Sequence, residues 1–122
     1  MSTKGSPHAR FRRALDTGNP TLVVAAASEL ARVELHDALA ICLVLLDGGS
    51  ARYERAAVRW HGRFCLEAPG LVLRDAGLAL SALEALAGDH GDAGAQALLA
   101  LFEGRGETPL AQVIASWAAR RG

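Results

Sequence analysis

The stretch from Ala38 to Leu46 reads ALAICLVLL and contains no polar side chain. A helix that is apolar all round has to be covered on every side by other parts of the chain. Asp47, Gly48 and Gly49 follow it, and then comes a segment that carries both aromatic and arginine residues at helical spacing. We therefore predict a central helical hairpin, with a buried first helix and an amphipathic second helix that reaches solvent.

Composition extends this prediction to the whole chain. The 122 residues are a length typical of one domain, and half of them are apolar, mainly Ala and Leu, which favour helices over strands. We expect an all-α protein of about seven short antiparallel helices, with residues 1–6 as a flexible tail and 7–122 as one domain. The abundance of Ala, Gly and Arg, with Lys4 as the sole lysine, is typical of a GC-rich bacterial genome.

Turn and cap signals place the helices along the chain. Ser-Pro, Asn-Pro and Thr-Pro pairs precede three of them, and turns that contain Gly separate most of the others. The expected spans are 8–15, 21–32, 35–46, 51–66, 73–87, 93–103 and 108–120.

The tetrapeptides at 35–38 (LHDA) and 73–76 (LRDA) echo one another, and each opens an apolar helix that a turn and a second helix follow. Two-helix units at this spacing resemble the HEAT and TPR class of helical repeats, in architecture only. The resemblance implies a helical-hairpin stack. An irregular bundle is the alternative arrangement.

The helix after Gly49 has three faces. One face is a continuous arginine row, a second is expected to pack inward, and a third is mixed in character. The arginine row is Arg52, Arg55, Arg59 and Arg63; the inward face is Tyr53, Ala57, Trp60 and Phe64; the mixed face is Glu54, Val58, His61 and Cys65.

Neighbouring arginines repel one another, so the arginine row invites a compensating partner. Inside the hairpin, we expect Asp47 to lie near Arg52, and Asp37 to pair with Arg59 or Arg63. The alternative partner is external, either an acidic protein surface or the phosphates of a nucleic acid, because the planar guanidinium suits both.

The N-terminal segment poses the same choice, since Arg10, Arg12 and Arg13 occur there without an acidic residue. They could form an arm for nucleic acid or a solvated end. A formal net charge of +0 favours the solvated end, because phosphate contacts call for a basic surface.

Few residues suggest chemistry. The dipeptide His36-Asp37 is the one that metal-dependent HD phosphohydrolases use, and His61 and Asp75 are the further ligand candidates. We expect His36 to be partly exposed in a first helical turn. No strand precedes a Gly-rich loop and no serine has a nucleophile-elbow pattern, so we predict no catalytic residue, metal or cofactor.

Two cysteines complete the inventory. At helical rise, Cys42 and Cys65 lie too far apart along the hairpin for a disulfide, and we expect both to be buried. The longest apolar run is short of the ~20 residues that a membrane span needs, and no secretory signal is visible. A cytoplasmic protein without a membrane partner is expected.

The sequence thus favours a non-enzymatic, cytoplasmic protein-interaction module with an unknown protein partner, which includes self-association. A helical nucleic-acid-binding protein is the alternative, and an HD-type phosphohydrolase comes third. The candidate binding residues are Arg52, Arg55, Arg59 and Arg63 together with Arg10, Arg12 and Arg13.

Overall fold

The computed structural model describes residues 5–121, so residues 1–4 of the predicted tail and Gly122 lie outside the described residues. The described residues contain seven α-helices and no strand, which confirms the all-α prediction. The helices are α1 (Pro7–Thr17), α2 (Pro20–Ala27), α3 (Leu35–Asp47), α4 (Tyr53–Glu67), α5 (Leu73–Leu86), α6 (Gly91–Arg105) and α7 (Thr108–Arg121).

Local capping explains the first helix boundaries. The Ser6 side chain accepts a hydrogen bond from the Ala9 backbone N–H, and the left-handed Gly18 (φ 67°) ends α1. The Asn19 side chain then caps α2. The second helix ends at Ala27, five residues before the predicted end, where the Ser28 hydroxyl donates to a backbone carbonyl of the last turn.

The five helices from α3 to α7 form a closed ring. Each packs on the one before it, and α7 returns to pack on α3. The α1–α2 hairpin covers another side of α3. Within the apolar stretch 38–46, Leu39, Cys42, Leu43 and Leu45 are buried and the other residues are partly buried, so the helix is covered on most of its sides. Both predicted arrangements, the helical-hairpin stack and the irregular bundle, are compatible with these seven helices.

An aromatic cluster lies where α4 faces α6. The Trp60 and Phe64 rings stack with their centroids 5.1 Å apart, and Phe102 of α6 meets both edge-on at 6.1 and 5.9 Å. The predicted inward face of α4 is confirmed, because Tyr53, Ala57, Trp60 and Phe64 are all buried.

The inward face of α5 is formed by its buried residues, Ala79, Ala82, Leu83 and Leu86. Of the apolar residues 76, 80, 83 and 87, which also recur at helical spacing, only Leu83 is buried. This face meets a close approach of α6. A Cβ added at buried Gly94 would lie 2.8 Å from the Ala82 carbonyl oxygen, so the bare glycine lets the two backbones meet.

Candidate functional site

The arginine row of α4 is exposed along most of its length. Arg52, Arg55 and Arg59 are exposed, and among residues 5–121 none of their side chains has an ion pair or hydrogen-bond partner. Arg63 is half-buried, and its Nε donates to Glu67 Oε2 at 2.8 Å. This hydrogen bond lowers the pKa of the Glu67 carboxyl below its ordinary value.

Asp37 is not a partner of the arginine row. Its carboxylate, only 1% exposed, is approached by His8 Nε2 at 3.4 Å, His36 Nε2 at 3.5 Å and Arg12 Nη1 at 3.9 Å. The predicted pairing with Arg59 or Arg63 is therefore wrong. Asp37 lies in the first turn of α3 on the side that α1 covers, whereas α4 covers a different side.

Asp47 is not a partner of the arginine row either. Its two carboxylate oxygens accept hydrogen bonds from Trp117 Nε1 at 3.0 Å and from Arg121 Nη1 at 2.9 Å, both on α7. The predicted proximity to Arg52 does not produce a pair. The carboxylate is instead bound by α7, which packs on the end of α3. The sequence of the α3–α4 hairpin could not predict that contact.

The N-terminal arginines form a separate group. Arg10 donates through Nε and Nη2 to Glu29 Oε1, at 3.3 and 3.0 Å, and Arg12 lies beside Asp37. Arg13 is exposed but not without an interaction partner. Within the described part of the chain α1 does not approach α4, so the two predicted arginine groups are not brought together.

The residues of the HD-type site do not assemble. His36 is partly exposed beside Asp37, as predicted, but His61 points toward α5 and bonds to the Ala76 carbonyl. In the described residues no group of three or more His, Cys, Asp or Glu side chains is placed to hold a metal ion. Arg12 brings a positive charge to Asp37, which also disfavours a bound cation there.

A groove of about 940 Å³ lies over α3 between α1 and α7. Its lining contains Arg12 and Arg120 but also Asp16 and Asp47, so the formal charges cancel. The rest of the wall combines apolar side chains such as Val113 with polar ones such as His36 and Gln112. The groove therefore does not select a ligand by charge.

The outer face of the α4–α5 hairpin is apolar and exposed. Leu73 is 91% exposed, Leu66 is 89% exposed and Val58 is 60% exposed. Large exposed apolar residues that cluster on one face mark interaction surfaces, whereas scattered ones need no explanation. We define the α4–α5 apolar surface as Val58, Cys65, Val72, Leu73 and Leu80; Leu66 is exposed on the side of α4 that carries the arginine row.

Two hydrogen bonds fix the register of this hairpin. The Tyr53 hydroxyl donates to the Leu83 carbonyl at 2.8 Å, and His61 Nε2 donates to the Ala76 carbonyl at 2.7 Å. At helical rise this antiparallel register places Val58 level with residues 78–79, less than one helical turn from Leu80, and Cys65 level with the residues before Leu73. Exposed apolar residues of the two helices therefore occur at similar heights along the hairpin.

The sequence alone did not indicate this surface. Cys65 was expected to be buried and is exposed, and Leu80, an apolar residue of α5, is half-exposed. The helical spacing of α4 could have indicated this surface, because Val58 and Cys65 lie on a different face of α4 from the aromatic residues that pack inward. Cys42 is buried as predicted, and both thiols are free.

No helix among residues 5–121 is both long and apolar enough to span a bilayer. Comparison with known proteins finds no matching family model, no matching curated protein and no matching solved structure. Function therefore has to be argued from the arrangement of the residues themselves.

Proposed function

We propose that this protein is a non-enzymatic interaction module that associates with a second copy of itself through the α4–α5 apolar surface. The observation that carries the proposal is the set of exposed apolar side chains on one face of that hairpin, led by Leu73 and Val58. Burying such side chains against a partner removes apolar area from water, which is the main favourable term in protein association.

The charges around the surface support a second copy as the partner. Near the start of α4 each copy presents Arg52, Arg55 and Glu54, and the end of α5 presents Glu84 at the same level. All four residues are exposed, so this end carries two positive and two negative charges. A formal net charge of +0 also means that two copies do not repel each other at long range.

A two-fold axis that runs parallel to the helices would make these features complementary. It places α4 of one copy over α5 of the other at the same level, which is an isologous interface. Val58 then comes within about one helical turn of Leu80, and Arg55 comes within about one helical turn of Glu84. Arg74 comes opposite the Arg63–Glu67 pair, whose charges are already balanced.

Sedimentation velocity over protein concentrations of about 1–100 µM tests the proposal directly. We expect a reversible monomer–dimer equilibrium that Leu73→Glu weakens by about tenfold or more, because an unpaired carboxylate would be buried in the interface. Leu22→Glu on α2 is the control, since Leu22 is also an exposed leucine, at 50%, and lies on another helix. A monomer at every concentration would overturn the proposal.

Charge exchange tests the orientation of the two copies. Glu84→Arg should weaken association, and the added change Arg55→Glu should restore it, because the pair is re-formed with opposite polarity. Equal weakening by both single variants and no recovery in the double variant would reject the two-fold arrangement described above.

Nucleic-acid binding is the second candidate, and one observation favours it. Arg52, Arg55 and Arg59 form an exposed row without acidic partners among the described residues, which leaves their guanidinium groups available for phosphates. Fluorescence anisotropy with a labelled oligonucleotide at about 50 and 200 mM salt tests this, since phosphate-driven binding weakens steeply with salt. Binding that is lost in the variant Arg55→Glu/Arg59→Glu would support it.

A further inference from the structure

We propose that the α1–α2 hairpin is a pH-sensitive flap, which closes on α3 when His8 is protonated beside Asp37 and opens as a unit when His8 is neutral. Three features carry this inference: the small separate core of the hairpin, its irregular connection to α3, and the buried carboxylate beneath it. The inference does not depend on the proposed self-association, which concerns α4 and α5.

The α1–α2 hairpin is attached to the other helices through α3. Within residues 5–121, α1 and α2 pack on each other and on α3, and on no other helix. Of residues 5–34 only Phe11 and Val23 are buried, and neither belongs to the large cluster of buried apolar side chains that α3 to α7 share. Val24 is partly buried against that cluster. A unit with so few buried apolar side chains opens at a lower free energy than the ring does.

The connection between the flap and α3 has the character of a hinge. Residues 28–34 join α2 to α3, contain no regular secondary structure and include no buried side chain. Such a segment can change its backbone angles without disturbing a packed core, as the hinges of mobile elements do. The hairpin can therefore leave α3 while the ring of α3 to α7 stays intact.

The carboxylate of Asp37 lies beneath the flap and is incompletely satisfied. Its Oδ1 lies 3.5 Å from His36 Nε2 and 3.9 Å from Arg12 Nη1, whereas its Oδ2 lies 3.4 Å from His8 Nε2. Oδ2 is buried and has no hydrogen bond among the described residues. Burying a carboxylate oxygen without a hydrogen bond is unfavourable. Closure of the flap therefore removes from water a charge that opening would return to water.

His8 is the residue of the flap that can offset this cost. Its side chain is 57% exposed, so it exchanges protons with solvent. A protonated imidazole carries an N–H on both ring nitrogens and a positive charge opposite Asp37, whereas a neutral one brings no charge. The closed flap thus favours the protonated form of His8 and binds more protons than the open flap. Closure is therefore favoured as pH falls and is lost as pH rises through the range of roughly 5 to 8 in which histidine changes charge.

The other charged groups near Asp37 do not supply this dependence. His8 is the one histidine in the sequence of α1 and α2, and α2 has no ionisable side chain. Arg12 stays charged throughout this pH range, and His36 belongs to α3 itself, so it remains beside Asp37 when the flap opens. Of the helices on other sides of α3, α4 directs His61 toward α5, and α7 contributes the permanently charged Arg120 to the groove.

Opening of the flap would change the groove over α3. The α1 wall of this groove includes Arg12, Leu15 and Asp16, and its α3 floor includes Leu43 and Val44. The closed flap therefore limits access to this side of α3, and the open flap removes the limit. In this way pH would control which surface of α3 a ligand or partner can reach.

Hydrogen exchange of the full chain, followed by mass spectrometry at about pH 5.5 and about pH 8, tests the flap. Conversion of the exchange rates to protection factors removes the pH dependence of the chemical exchange itself. We expect protection in α1 and α2 to be about fivefold or more lower at the higher pH, and to fall together in both helices. Protection in α5 and α6 should not change. Protection of α1 and α2 that equals that of α5 and α6 at both pH values would overturn the flap.

Three variants test the role of His8. His8→Gln keeps a polar side chain that cannot be charged, so α1 and α2 should show the same low protection at both pH values. His90→Gln is the matched control, because His90 is exposed and lies outside the flap, and it should behave as the wild type does. His36→Gln should also keep the pH dependence, since His36 does not cross from the flap to α3. Circular dichroism melts check that all three variants fold. A pH dependence that persists in His8→Gln would overturn the proposal.

Discussion

The indole N–H of Trp117 donates a hydrogen bond to Oδ2 of Asp47, at 3.0 Å, and so joins the last helix to the end of the central one. Trp117 is buried, and Arg121 lies over its ring, 4.4 Å from the centroid, while donating to the other carboxylate oxygen. These contacts between α7 and α3 close the ring of five helices.

Asp47→Ala should loosen this closure. It leaves the buried indole N–H without an acceptor, and a hydrogen bond to a charged group contributes about 1.5–3 kcal/mol. We expect the free energy of unfolding, measured with denaturant, to fall by roughly that amount, and amide hydrogen exchange in α7 to become faster. Asp16→Ala is the control, because Asp16 is exposed and has no hydrogen bond or ion pair among the described residues. Equal losses in both variants would contradict a special role for Asp47.

Trp60→Ala should remove much of the stability of the domain. The side chain is 2% exposed, stacks on Phe64 and donates through its indole N–H to the Leu35 carbonyl at 2.9 Å. Deleting a buried tryptophan costs about 3–5 kcal/mol, against a total of roughly 6–18 kcal/mol for a chain of this length. Chemical denaturation monitored by circular dichroism measures the loss. An unchanged transition would mean that the aromatic cluster does not hold α4 to α6.

Gly94→Ala should destabilise the contact between α5 and α6. The added methyl group would lie 2.8 Å from the Ala82 carbonyl and 3.2 Å from the Leu86 backbone nitrogen, so one helix has to move. Forcing an extra carbon into a packed contact costs about 1–3 kcal/mol.

Gly104→Ala on the same helix is the matched control for that variant. No atom would lie within 4 Å of its Cβ, and replacing an exposed helical glycine by alanine gains up to about 1 kcal/mol. We therefore expect thermal melts to shift in opposite directions. Stabilisation by both substitutions would show that the helices do not meet at Gly94.

The contrast between α4 and α5 explains how much the sequence could predict. On α4 the aromatic residues are large and arginines occupy another face, so the phase of the inward row was clear and correct. On α5 apolar residues occur all round the helix, including exposed Leu73 and Leu80. Such a pattern does not indicate which side of the helix faces the core. Contact with Gly94 decides the rotation of α5, and that contact is tertiary information.

The candidate site divides in the same way. The sequence predicted one continuous arginine row on α4, with Arg59 or Arg63 paired to Asp37. Arg55 and Arg59 are exposed and have no such partner among the described residues. The sequence could not show which acids are near. Asp37 contacts side chains of α1, and Asp47 accepts hydrogen bonds from side chains of α7. Both helices lie far from these aspartates along the chain. Pairing within a hairpin can be estimated from helical rise, whereas the return of a distant helix cannot.

Alkaline pH should destabilise the fold, because the thiol of Cys42 and the phenolic hydroxyl of Tyr53 are buried in their protonated forms. Burial raises the pKa of the Cys42 thiol from its ordinary 9.0 to about 12, and burial also raises the pKa of the Tyr53 hydroxyl. Both groups keep their protons in the folded state and lose them more readily when unfolded. Their stabilising contribution is thus complete below the unfolded pKa values and is lost as pH rises through the folded ones.

For Cys42 that window runs from pH 9.0 to about 12. Denaturant titrations at a series of pH values should show the free energy of unfolding falling above pH 9.0. Cys42→Ala should flatten the slope, and Cys65→Ser should leave it unchanged, because Cys65 is exposed. A slope that does not depend on Cys42 would contradict its burial as a neutral thiol.

Reversing the charges of Arg55 and Arg59 tests whether these arginines stabilise the fold or bind a partner. Both side chains are exposed and have no acidic partner among the described residues, so the variant Arg55→Glu/Arg59→Glu should shift the free energy of unfolding by about 0.5 kcal/mol or less. The change can even relieve repulsion along α4, since like charges one turn apart disfavour a helix.

Arg63→Glu is the comparison variant. It breaks the hydrogen bond to Glu67 and places two carboxylates one turn apart, so its melting temperature should be lower than that of the wild type. An early melt for the double variant would mean that the arginine row is bound within the fold. A normal melt with weakened self-association, and no salt-dependent binding of an oligonucleotide by the wild type, would assign the row to the contact between two copies.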